Sequence, residues 1–286
     1  MLKYLLYLFM ILLCGLKLEA GAIPTVPTIL VSIAPYKLFV EKIAGDTVNV
    51  NLMVPAGASA HTYEPTPKQM MAAGKAAVWF CIGESFESRA IPSLKAYHPD
   101  MAIVDLRQGV EMITADPQTG CCCCHADSQD LHIWLSPKEV SVQARTIAQA
   151  LSRLFPENAA AYQQGLNGLL QDLKVLDKQI ASELAPLKKR LILVSHPAYA
   201  YFCRDYNLQQ LSIEFEGKDP TPKQLTSLLN RTRSAFVKKV YIQKQYSSKG
   251  ARLFAKELGA EIVMLDPYSE DYFKSMREIA HQFASN

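Results

Sequence analysis

Long apolar runs are scarce. After residue 22 no stretch holds the 18 or so uninterrupted apolar residues at which a chain begins to read as membrane-spanning. A basic stripe is also missing. The net charge is +3, with 30 Lys/Arg interspersed among 27 Asp/Glu, which argues against nucleic acid as a partner. There is no HExxH helix, the commonest mark of a zinc hydrolase. Nor is there a repeat at solenoid spacing. The seven cysteines do not form a staple pattern. Cys14 lies in the first segment, Cys121 to Cys124 are consecutive, and Cys81 and Cys203 sit in apolar surroundings that suit small buried side chains.

The first segment, "MLKYLLYLFMILLCGLKLEAGA", has one early cation (Lys3), an apolar run from Tyr4 to Leu13, and a small-residue stretch Ala20-Gly21-Ala22. This layout predicts a signal peptide over 1–22, cleaved after Ala20 or Ala22, and therefore export to the periplasm. A lipid anchor through Cys14 is the weaker alternative, because Leu13 is bulky where a small residue is wanted. About 260 residues then remain, enough for two modest lobes.

Short apolar runs recur: "TILVSI", "VNVNLMV", "AAVWFCI", "MAIVDL", "LILVSH", "KVYIQK" and "EIVMLD". Most are continuous rather than alternating, as strands buried on both faces of a parallel sheet should be. Between them lie helical patterns with proline near the start or glycine past the end, as in "PYKLFVEKIAG" and "SKGARLFAKELGA". The class is α/β with mostly parallel sheets. From Ser136 to Lys189 the chain is helical only, broken near Phe155-Pro156. Tyr162, Leu166, Leu169, Leu173, Leu176, Ile180 and Leu184 make one apolar stripe at spacings of three and four. That pattern predicts a rigid helix of roughly 40 Å bridging two lobes. The expected organisation is an N-terminal lobe over 23–155, a linking helix over 156–188 and a C-terminal lobe over 189–286. The polar segment "DPQTGCCCCHADSQD" forms a Cys/His loop over 116–130.

Of the six histidines, three follow a pattern. His61 comes just past a strand, His132 lies between the cysteine loop and the next helix, and His196 ends "LILVSH". Asp266 likewise ends "EIVMLD". In open α/β sheets ligands bind beyond the carboxyl ends of strands. Three imidazoles and a carboxylate there, two from each lobe, would suit a tetrahedral divalent ion such as zinc. A lone histidine at a strand end is, however, more often structural, and an aspartate before proline is a common turn former. His98 and His281 keep that structural reading.

The stretches "GASAHTYEPTPKQM", "DLHIWLSP", "LVSHPAYAYF", "DPTPKQL" and "QYSSKGARLFAKELGAEIVMLDPY" resemble the zinc/manganese class of ABC-importer solute-binding proteins, from about Thr28 to the C-terminus. The resemblance implies two (β/α) lobes joined by one long helix, and a receptor that captures a metal and passes it to a membrane permease. It implies no enzymatic activity and a monomer. Carried over by motif, the metal ligands are His61, His132, His196 and Asp266, with water able to replace the aspartate in zinc-type members. A histidine at the third position favours Zn2+ over Mn2+ or Fe2+, which imply alternative receptors of the same fold. Tyr63, Glu64 and Trp134 are expected to pack around the site. Pro197 departs from the family, where an acidic or small residue is more usual. Zinc receptors often carry a His/acid-rich loop before the second ligand; here that place holds Cys121, Cys122, Cys123, Cys124 and His125, an accessory metal loop by position. An exported zinc hydrolase is the rival from another class, but it would need an open coordination position and a nearby base.

Overall fold

A computed structural model describes residues 26–114, 129–214, 221–246 and 249–285. The leader with Cys14 and the Cys121–Cys124/His125 segment lie outside the described residues. Among those described, no helix is long and apolar enough to cross a membrane.

Two four-stranded sheets carry the fold, and every pairing in them is parallel. The first holds β1 (Thr28–Val31), β2 (Asn49–Leu52), β3 (Val78–Cys81) and β4 (Ala102–Asp105) in the order β2-β1-β3-β4. The second repeats the plan with β5 (Leu191–Val194), β6 (Gln209–Ser212), β7 (Lys239–Gln243) and β8 (Glu261–Leu265), ordered β6-β5-β7-β8. In each sheet the chain leaves its first strand for one side and returns to the other. The crevice at the carboxyl ends of the first and third strands is thus a topological switch point. Central β3 is buried along its length, whereas edge strand β2 ("NVNL") alternates with its asparagines outward. Strand β6, "QQLS", was not expected. Its two glutamines face partly outward at a sheet edge, so no apolar run marks it.

Helix α1 (Ala34–Ala44) follows β1, α2 (Pro67–Ala73) follows β2, and α3 (Ser85–Tyr97) follows β3. Helix α4 (Pro137–Leu154) starts on Ser136, whose hydroxyl accepts from Glu139 N–H, and ends before Pro156. Helix α5 (Ala159–Leu184) is the long one, and all seven residues of its apolar stripe are buried. The C-terminal sheet carries α6 (Ala200–Asp205), α7 (Pro222–Ser234), α8 (Lys249–Leu258) and α9 (Tyr272–Ala284). Helix α5 packs against α1 of the first lobe, α4, and α9 of the second. The approach to α1 is close. A Cβ on Gly165 would lie 2.3 Å from Ile43 O and 2.7 Å from Lys42 O, so only glycine fits. One hydrophobic core runs from β1 and β3 through α5 to β5 and α9. A second, smaller core of Leu193, Val240, Ile242 and Phe254 lies under α7 and α8. Cys81 and Cys203 are free and buried.

Candidate metal centre

The rim at the carboxyl ends of both sheets brings three histidines together. His61 sits in a short helical turn (Ala60–Thr62) in the loop from β2 to α2. His132 directly precedes the turn Ile133–Leu135 that leads into α4. His196 lies two residues past β5. One nitrogen from each lies within 4.8 Å of the other two. The ring centroids form a nearly equilateral triangle: 5.2 Å for His61–His132, and 5.3 Å for both His61–His196 and His132–His196.

Each imidazole is held from behind by a carboxylate. His61 Nδ1 donates to Glu84 Oε2 at 2.9 Å, His132 Nδ1 to Asp130 Oδ1 at 2.7 Å, and His196 Nδ1 to Glu214 Oε2 at 2.8 Å. An ionised carboxylate only accepts, so each pairing fixes the proton on Nδ1 and leaves a lone pair on Nε2. His61 Nε2 and His132 Nε2 are buried without a hydrogen-bond partner. Buried polar atoms are seldom left so, and two aimed at one point suit an ion. A zinc ion with bonds of about 2.0–2.1 Å would draw the three nitrogens to roughly 3.3 Å from one another.

The electrostatics differ by ring. Burial opposes charge on His61, but the charge of Glu84 and its hydrogen bond outweigh this and raise the pKa above its ordinary value. His196 is pushed well below its ordinary value, first by burial and then by His132 and His61. A wall of aromatic rings closes the cluster. Tyr246 stacks on His196 at 4.2 Å and 16°, while Trp134 lies 5.2 Å from His132 and 5.0 Å from Tyr268. Trp134 Nε1 donates to Pro267 O across the lobes.

The structure does not bring Asp266 into this cluster. Its carboxylate accepts from Gln245 Nε2 at 2.8 Å, Tyr268 N at 3.2 Å and Lys244 Nζ at 3.3 Å. Two of these three partners, Lys244 and Gln245, follow β7, the strand that pairs with β8. Glu64 differs from expectation too: it is exposed and pairs with Arg89. Tyr63 packs on Phe86, and Trp134 packs on His132. His98 lies over Gly74, and His281 pairs with Glu183, both apart from the cluster. Glu84, Asp130 and Glu214 were missed from sequence, although Asp130 stood two residues before His132 in "DLH". Thr114 bridges Gln129, next to Asp130.

Two parallel lobes on one long helix, with imidazoles converging at their shared rim, are the architecture of the zinc/manganese solute-binding receptors of ABC importers. Residues 29–286 match the family described as zinc-uptake complex component A, periplasmic, and the chain belongs to that family. It is a receptor family rather than an enzyme family. A protein of Chlamydia muridarum named for metal binding is 36% identical over 265 residues, 92% of each chain. A crystal structure of ZnuA is 36% identical with a TM-score of 0.84, covering 91% of this chain and 98% of that one. A zinc-bound ZnuA deletion mutant, also 36% identical, has a TM-score of 0.83 and covers 90% and 96%.

Proposed function

We propose that the protein captures Zn2+ with His61, His132 and His196 and delivers it to an ABC-importer permease. The observation that carries this reading is the set of three carboxylate-backed imidazoles whose nitrogens lie within 4.8 Å of one another. Neutral nitrogen donors suit zinc, whereas manganese favours oxygen donors. Three carboxylates behind the rings supply negative charge that offsets a dication. The zinc-bound state of the ZnuA deletion mutant supports the same metal. Asp266 stays outside the ligand set, and solvent completes the tetrahedron. The Cys121–His125 segment, a few residues before Asp130 in sequence, acts as a low-affinity gathering loop. The leader directs the chain to the periplasm.

The test is a zinc titration against a competing chelator, with manganese as the rival ion. Alanine at His61, His132 or His196 should weaken zinc binding by at least about a hundredfold, the loss of one inner ligand exceeding the 10–100-fold typical of outer partners. Unchanged affinity in all three variants would refute the site. Deleting Cys121–His125 should leave one tight site.

A further inference from the structure

We propose that Glu87 is a positioning residue for metal capture, setting the ring of His61 through Glu84. This rests on reading His61 as a ligand. The switch-point crevice at the ends of β1 and β3 is where an α/β sheet ordinarily receives a ligand from outside. Here the chain fills it with a carboxylate of its own. Glu87, 2% exposed, accepts Ile82 N–H at 3.1 Å on each oxygen, and Gly83 N–H at 2.6 Å and Glu84 N–H at 3.0 Å on Oε2. Its other oxygen accepts the hydroxyl of buried Ser32, which in turn accepts Trp79 Nε1 at 3.0 Å.

Three successive N–H groups converge on one anion only when the backbone between them turns sharply. Gly83 supplies that turn with φ +93, and the Arg107 guanidinium fills the space a Cβ would need. Glu87 thus dictates the path of Ile82–Glu84. Burial pushes its carboxyl up to about 7, against the pull of the Ser32 hydroxyl and the Ile82 and Gly83 N–H groups.

The residue so fixed is Glu84, 1% exposed, whose Oε2 holds His61 Nδ1. His61 needs such a guide more than its partners do. Its side chain is 14% exposed, against 0% for His132 and 4% for His196. The relay therefore runs from the sheet crevice through the β3–α3 turn to the most exposed of the three rings.

The test has two arms. In metal-free protein, long-range 15N correlation of the imidazoles should show His61 as one tautomer, protonated on Nδ1. Glu87→Gln should give His61 a mixture while His132 and His196 keep their signals. In zinc competition, Glu87→Gln should weaken binding about three- to tenfold, part of what an outer-sphere partner contributes. In a Glu84→Gln background it should add less than about twofold, because the relay is already cut. An unchanged His61 tautomer, or an equal loss of affinity in both backgrounds, would overturn the proposal. If Glu87→Gln does not fold, Glu87→Asp enters the same cycle with the same outcomes, its shorter side chain reaching fewer of the N–H groups. The tautomer arm needs no metal, so a failure of the zinc reading would show separately, as His61→Ala binding zinc like the wild type.

Discussion

Replacing Asp130 with asparagine should weaken zinc binding far more than replacing Asp266, the rim aspartate, with asparagine. Asp130 is 1% exposed, and its Oδ1 accepts both His132 Nδ1 at 2.7 Å and His132 N at 2.9 Å. Asparagine has the same shape but only one acceptor oxygen. If its NH2 turns toward the ring, the imidazole must carry its proton on Nε2, the atom offered to the ion. If its oxygen turns there instead, the tautomer survives but the negative charge behind the ring is lost. Outer-sphere partners of this kind contribute about 10–100-fold in affinity, or roughly 1.4–2.7 kcal/mol. Asp266 pairs with Lys244 near the surface, where an ion pair contributes about 0–1 kcal/mol to stability. Asp266→Asn should therefore change zinc affinity by less than about twofold, because it leaves the three imidazole–carboxylate pairs intact. Chelator competition at neutral pH measures both variants, with thermal melting to confirm that each is folded. A tenfold loss in Asp266→Asn with Asp130→Asn unchanged would put Asp266 in the ligand set and refute the reasoning.

Zinc affinity should be full at alkaline pH and fall as the pH drops through the raised pKa of His61, by about tenfold per unit, as a proton on Nε2 displaces the ion. Glu84→Gln removes what raises that pKa, so the fall should begin at lower pH; titrations across a pH series would show the shift. Gly165→Ala should lower stability by about 2–4 kcal/mol through overlap with the carbonyls of Ile43 and Lys42, read by denaturant unfolding. Gly168→Ala, with nothing within 4 Å of its Cβ, should instead raise stability by up to about 1 kcal/mol. Saturating zinc should raise the melting temperature, with about 2.7 kcal/mol of added stability at a hundred times Kd.

What was legible in the sequence depended on periodicity and position. The stripe from Tyr162 to Leu184 is regular over about six turns, so the long helix could be read directly; it runs from Ala159 to Leu184, against the expected 156–188. His61, His132 and His196 were legible as rim residues because strand ends could be placed from their apolar runs. Glu214 was not, because β6 was invisible behind Gln209 and Gln210. The rim argument placed Asp266 near the cleft but could not show its partners, Lys244, Gln245 and the Tyr268 N–H, since Lys244 and Gln245 come beside it only through the pairing of β7 with β8. Glu84 and Glu87 were equally hidden, since His61 lies 23 positions from Glu84 and Ser32, just past β1, lies 55 positions from Glu87.

The shared core around α5 has a consequence for dissecting the chain. Its buried stripe faces α1 on one side and α9 on the other, so a cut on either side of the helix would strip one lobe of its packing partner. Neither half should be obtainable as a stable fragment. Co-expressed halves should be recovered only as a reassembled pair, and calorimetry of the whole chain should show one heat-absorption peak rather than two.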